Sequence, residues 1–129
     1  MKPEIIYFAG FFDGEGSCIV RFRKDARYAS GCQINTRLNI TQKEKSVLEK
    51  FREIFGCGKF HFHKRDKLWY LDVWRIKEQT DVIKQILPYL IVKKEKAERF
   101  LEVLHVMSKK EHLSVEGVKR VRLLWEPQN

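Results

Sequence analysis

Few prolines, few cysteines and no long apolar run mark this chain, and each shortage removes a class of protein. Three prolines and seven glycines in 129 residues leave no low-complexity linker. Cys18, Cys32 and Cys57 are odd in number and lack metal-ligand spacing, so they read as reduced thiols of a soluble, intracellular protein rather than a disulfide framework. The longest apolar run, "IIYFAGFF", has eight residues, against the roughly 20 that a helix needs to cross a bilayer. No basic–apolar–small leader pattern opens the chain, so no membrane partner is expected. What remains, 43% apolar and 33% charged residues, is the composition of one globular domain over 1–129.

Acidic residues are scarce in two places. Residues 16–43 hold six Lys/Arg and one acid, Asp25; residues 56–77 hold six Lys/Arg and two acids, Asp66 and Asp72. Everywhere else 14 basic residues meet 14 acidic ones, so the whole net charge of +9 lies in these two segments. Charge so localised predicts a surface that faces a polyanion.

Those segments have the pattern of hairpins. A largely apolar helix over 4–14, entered through Pro3, ends at Gly14 or Gly16. "SCIVRFRK" and "CQINTRLNI" alternate apolar with polar around the turn "DARYASG", a hairpin at about 17–40. Thr41 and Glu44 have capping-box spacing ahead of a helix over 43–55, whose Val47, Leu48, Phe51, Ile54 and Phe55 share a face and which Gly56 and Gly58 stop. A second hairpin spans 58–76 around "KRDK", and helices are expected at 78–91, interrupted by Pro88, at 93–107 and at 115–125. The order α-β-β-α-β-β-α with added helices predicts an α+β fold containing one four-stranded antiparallel sheet.

The strand faces sort by chemistry. Ile34, Thr36, Leu38 and Ile40 share one face with Cys18, Val20, Phe22, Phe60, Phe62, Leu71 and Val73. The other face presents Ile19, Arg21, Arg23, Gln33, Asn35, Arg37 and Asn39 from the first hairpin, with Arg27 in its turn. Lys59, His61, His63, Tyr70, Asp72 and Trp74 follow from the second. A solvated polar face usually carries lysine and glutamate; arginine and amide side chains are the ones that pair bidentately with guanine and adenine edges, and a two-stranded ribbon fits the DNA major groove. His61 and His63 form an HxH pair without a third ligand at metal spacing, which suits base or phosphate contact better than zinc.

The stretch "FAGFFDGEGS" (8–17) is the least ordinary. Each glycine inside a helix costs roughly 1 kcal/mol relative to alanine. Gly10 and Gly14 share a face with Ile6, where another backbone can come close. Asp13 and Glu15 sit at the helix C-terminus, where the macrodipole disfavours them, and divalent cations would relieve that conflict. A core helix relieved by glycines, with acids that cap neighbouring backbone, is the plain alternative.

"FAGFFDGEG" resembles the signature of the LAGLIDADG homing endonucleases, with Phe8 in place of leucine and Glu15 where aspartate is commoner. The element order is that fold's order, and "NITQKEKSVLEKF" and "LPYLIVKKEKAERF" resemble its strand-to-helix junction and later helical segment. The resemblance implies a homodimer that packs two signature helices through Phe8, Gly10, Phe11, Asp13 and Gly14 and cuts both strands of a long pseudo-palindromic DNA site. It places Glu15, with the Gly14 carbonyl, on the metal, Gln42 on a water near the scissile phosphate and Lys93 at the active-site edge, Asp13 being more structural. Mg²⁺ is the implied cofactor, Mn²⁺ the alternative, and Ca²⁺ would support binding without cleavage. Ser46 departs from the arginine of some relatives, which implies either that Lys43 or Lys45 substitutes for it or that catalysis is slower. The family's setting is the cytoplasm or nucleoid of a prokaryote or an organelle matrix.

From the residues themselves, Lys93, Lys94 and Lys96 crowd a helix N-terminus, where a bound phosphate would offset the dipole. Two other classes stay open: a non-cutting binder, such as a maturase acting on intron RNA or a DNA-binding regulator, and a helix-mediated scaffold with incidental basic hairpins.

Overall fold

The computed structural model describes residues 3–126, and the ends of the 1–129 domain reading lie outside them. Helix α1 (Pro3–Glu15) runs straight into β1 (Gly16–Lys24), which turns back into β2 (Cys32–Gln42). Then come α2 (Lys45–Phe55), β3 (Lys59–His63), β4 (Leu68–Val73) and α3 (Ile76–Ile86) with a 3-10 turn at Leu87–Tyr89. Helix α4 (Lys94–Ser108), a second 3-10 turn (Glu111–Leu113) and α5 (Val115–Trp125) complete the order. The four strands form one antiparallel sheet in the order β1-β2-β4-β3, as the α+β reading expects.

Period-two alternation puts Cys18, Ile34, Thr36, Leu38, Ile40, Leu71 and Val73 on one buried face. Helices α1, α2 and α3 contact the central strands on that face, with Phe8, Phe12, Leu48, Phe51, Val82, Ile83 and Ile86 all nearly or fully buried. Helix α4 packs on α3 and reaches β1, and α5 packs on α4. Gln79, fully buried, stitches α3 to the sheet by donating from Nε2 to the carbonyls of Thr36 (3.2 Å) and Trp74 (2.8 Å). Among the described residues no helix is long and apolar enough to cross a membrane.

The structure departs from the pattern at several points. Thr41 and Glu44 form no capping box: β2 continues through Gln42, Thr41 Oγ1 donates to Asn39 Oδ1 (3.0 Å), and Glu44 caps α2 without a side-chain bond. Strand pairing with Tyr70 and Trp69 holds Thr41 and Gln42 extended, so tertiary pairing overrides a local cap. Phe62 was expected inside but is 40% exposed, because β3 is a short edge strand; it packs sideways on Trp69 (4.9 Å between centroids). Helix 78–91 divides at Pro88, with its regular part ending at Ile86. Burial pushes the Cys18 thiol up to about 12, and burial with the charges of Glu78 and Asp81 pushes Cys57 up to about 11, so both stay protonated and unreactive at neutral pH.

Candidate functional site

The signature helix is not buried all round. Ile5, Phe8, Ala9 and Phe12 face the core, while Tyr7, Gly10, Gly14 and Glu15 are exposed. The three signature glycines have different reasons to be there. A Cβ on Gly16 would lie 2.2 Å from Cδ2 of the buried Phe12, so Gly16 lets β1 cross that ring. A Cβ on Gly10 or on Gly14 would meet nothing within 4 Å. Both therefore weaken α1 with no return inside the chain, and they leave an open stripe that a second backbone can approach. Phe8, expected at a dimer surface, is 2% exposed and sits against Phe51 (5.4 Å, edge-on), so it belongs to the core of its own chain; Phe11 is partly buried.

Asp13 is also spoken for. Its Oδ2 accepts from the backbone N–H groups of Ile91 and Val92 (3.0 Å each), and its Oδ1 accepts from that of Lys93 (2.8 Å). Lys93, the residue that caps α4, returns its Nζ to the Asp13 carbonyl at 2.7 Å. An acid misplaced at the C-terminus of α1 thus serves the N-terminus of α4, and a lysine misplaced at the start of α4 serves the end of α1. Each meets the dipole end that favours it. Partial burial by itself would raise the Asp13 pKa, but the bonds from Val92, Lys93 and Ile91, with the Lys93 charge, outweigh it and hold the carboxyl below its ordinary value. At this N-terminus, where a bound phosphate is the expected counter-charge, Asp13 supplies one from within the chain, and Lys96 lies over the Trp125 ring (5.2 Å).

This reciprocal clasp sets Lys93 beside the end of α1, one residue before Gly14 and two before Glu15. Strand register brings Gln42 to the same edge: Gly16 pairs with Ile40, and β2 runs two residues beyond. Gln42 turns its Oε1 to accept from the Lys43 backbone N–H (2.8 Å), and Lys45 is docked over Trp69 (4.3 Å) and Phe60 (5.0 Å). Glu15, exposed, is thus the one signature acid not bound into the fold among the described residues. Among the described residues no three His, Cys, Asp or Glu side chains gather where they could hold a metal.

The polar sheet face forms as the alternation predicts. Across β1 and β2, Arg23 lies opposite Gln33, Arg21 opposite Asn35, Ile19 opposite Arg37 and Ser17 opposite Asn39. The row continues from Asn39 through Asp72 to Lys59, and the next joins Thr41, Tyr70 and His61. Arg21, Arg23, Asn35, Lys59, His61 and Trp74 are exposed. Asn39 and Asp72 are not: they are 8% and 6% accessible, and Asn39 Nδ2 donates to Asp72 Oδ1 at 2.7 Å. The open presentation expected of both is corrected by this pairing of central strands. Arg27 is exposed but forks onto Asp25, with Nη2 2.7 Å from Oδ2. His63 stacks on Tyr70 (5.4 Å, 14° between planes) and lies 3.2 Å from the Asp66 carboxylate. Thr41 joins this face unannounced by its sequence context; only β2's extra length puts it there.

Residues 8–107 match the model of the LAGLIDADG endonuclease family. The chain is 27% identical over 105 residues to DNA endonuclease I-CreI of Chlamydomonas reinhardtii, a match that covers 80% of this chain and 63% of that protein. The archaeal intron-encoded homing endonuclease I-Vdi141I, solved in complex with DNA, superposes with a TM-score of 0.87 at 26% identity, covering 94% of this chain and 79% of that one. Meganuclease I-SmaMI, solved bound to uncleaveable DNA, gives 0.86 at 26% identity over 96% of this chain, which spans 43% of that longer one.

Proposed function

This chain belongs to the LAGLIDADG endonuclease family, and we propose that it is a site-specific DNA endonuclease that cuts both strands of a pseudo-palindromic site as a homodimer. One observation carries the reading: an open Gly10–Gly14 stripe runs down α1 to a free acid, Glu15, at the end of a sheet whose polar face is built of arginines and amides. I-CreI and I-Vdi141I are endonucleases by name, and I-Vdi141I carries DNA.

Each chain supplies one free carboxylate at this edge. Glu15, with the Gly14 backbone carbonyl, fits an Mg²⁺ ion that takes its other ligands from water and phosphate, which is how that ion is usually held; Mn²⁺ suits the same oxygens. Such an ion supplies charge stabilisation at the phosphate and an activated water. Two α1 stripes packed about a two-fold axis bring two copies of Glu15 together, one for each strand. Lys93, held by the Asp13 carbonyl, places a positive charge beside the scissile phosphate, and Gln42 orients the attacking water. Ile91 and Val92, 84% and 79% exposed, are anchored on Asp13 by their backbone N–H groups, which leaves two apolar side chains uncovered close to the end of α1. The polar face lies in the major groove, where Arg21, Arg23 and Arg37 meet base edges and the surrounding lysines meet phosphates.

The test is a randomised duplex library offered to the purified protein in Mg²⁺ and, separately, in Ca²⁺. Cleavage with the first and retention without cleavage with the second are expected, and Glu15→Gln should lose cleavage while keeping retention. Retention without cleavage in both ions would support the non-cutting alternative, and full cleavage by Glu15→Gln would remove the catalytic assignment.

A further inference from the structure

Asp72 is out of place on a surface meant for a polyanion. It is a carboxylate in the middle of the basic face, 6% accessible and therefore unable to reach a base. Its surroundings explain it. Asn39 Nδ2 donates to its Oδ1 (2.7 Å), and Thr41 Oγ1 donates to Asn39 Oδ1 (3.0 Å), so the Asn39 amide is engaged at both ends. Tied at both ends and 8% accessible, Asn39 is held away from the bidentate pairing that an amide can make with adenine. On the other side, Arg37 Nη1 stands 3.8 Å from the same Asp72 oxygen, and the Arg37 guanidinium carbon lies 5.1 Å from the centre of the Trp74 ring.

The five residues form one chain of contacts: Thr41 holds Asn39, Asn39 holds Asp72, and Asp72 and Trp74 flank Arg37. A free arginine loses considerable rotamer entropy when it docks on a base edge. Arg37 has lost much of that already: one charge pairs with it, one ring stacks against it, and its side chain is 23% accessible. Guanidinium has five N–H donors in a planar fork, and one carboxylate oxygen at this distance leaves the fork available.

Resting on the DNA-binding reading above, we infer that Thr41, Asn39 and Asp72 are positioning residues, and that with Trp74 they hold Arg37 as a preset reader of guanine. Asp72 and Asn39 read no base of their own. The acid also offsets part of the charge at the centre of the face, so that this site contributes to selectivity more than to non-specific attraction.

The experiment is sequence selection from a randomised duplex library in Ca²⁺, together with ¹⁵N relaxation of the Arg37 Nε–H in the free protein. Wild type should prefer guanine at one position of each half-site by roughly ten-fold or more. Arg37→Lys should abolish that preference, because lysine cannot make the planar fork. Asp72→Asn keeps an oxygen for Asn39 but drops the charge; it should weaken the preference at the same position by about two- to five-fold, the range of a weak ion pair without a direct hydrogen bond. In the free protein the Arg37 Nε–H should be ordered in wild type and more mobile in Asp72→Asn, with an unchanged melting temperature as the control for folding. Thr41→Val, which spares the carboxylate, should act in the same direction and at the same position. A change at any position that Arg37→Lys leaves alone would make Asp72 or Asn39 a base reader and overturn the assignment. So would an Arg37 Nε–H equally mobile in both proteins. If wild type enriches no duplex while its Arg37 is ordered, the DNA-binding reading fails, and the guanine assignment fails with it.

Discussion

Two of the signature glycines, Gly10 and Gly16, should answer alanine substitution with opposite signs. In Gly10→Ala the new methyl meets open space, so the isolated chain gains helix propensity of about 1 kcal/mol. For a domain of this size that corresponds to a rise in Tm of about 3–5 °C. In Gly16→Ala the methyl would lie 2.2 Å from a ring carbon of Phe12, which is wholly buried and has nowhere to go. Overpacking of that kind costs about 1–3 kcal/mol. The same Gly10 methyl that steadies one chain holds two stripes apart, so its effect depends on concentration. Urea unfolding across a hundred-fold range of protein concentration, with sedimentation velocity on the same samples, separates the two terms. Wild type should grow more stable with concentration; Gly10→Ala should be the more stable protein when dilute and should lose that dependence. Gly10→Leu should be monomeric throughout. A dimer that survives Gly10→Leu, or a Gly10→Ala protein weaker than wild type even when dilute, would refute the open-stripe reasoning.

Two further outcomes follow from the clasp between α1 and α4. Asp13→Asn should cost about 1–2 kcal/mol at neutral pH, because a carboxylate that accepts three backbone N–H bonds loses its charge. Because the folded pKa lies below the ordinary 3.8, that contribution is complete above the carboxylate range and fades as pH falls through the folded value. The gap between wild type and variant in urea melts should therefore close below about pH 4, and a gap that widened there would contradict the sign. Lys93→Met should slow cutting of every selected duplex by one common factor, on the order of 100-fold; slowing that differed from site to site would make Lys93 a specificity residue instead.

Face by face, the sheet could be read from the chain. Period-two alternation decides which side each residue takes, and Arg21, Arg23, Asn35, Lys59 and His61 are where it puts them. Exposure within a face could not be read the same way. Asn39 meets Asp72 only because β2 and β4 become neighbours, 33 residues apart in sequence. Phe62 is exposed because β3 falls at the edge, and strand order is not written in any strand's own pattern. Thr41 followed its pairing with Tyr70 rather than its capping spacing.

Local patterning alone determined the element order, the two basic hairpins, the polar face and the signature helix with its glycines and acids. These depend on interactions within a few residues, or on side-chain period. Tertiary structure decided which acid is free. Asp13 and Glu15 are two residues apart and chemically alike, yet Asp13 is taken up by backbone 78 to 80 residues away, while Glu15 is left exposed at the end of the helix. Only packing can make that choice, because the dipole that Asp13 satisfies belongs to another helix.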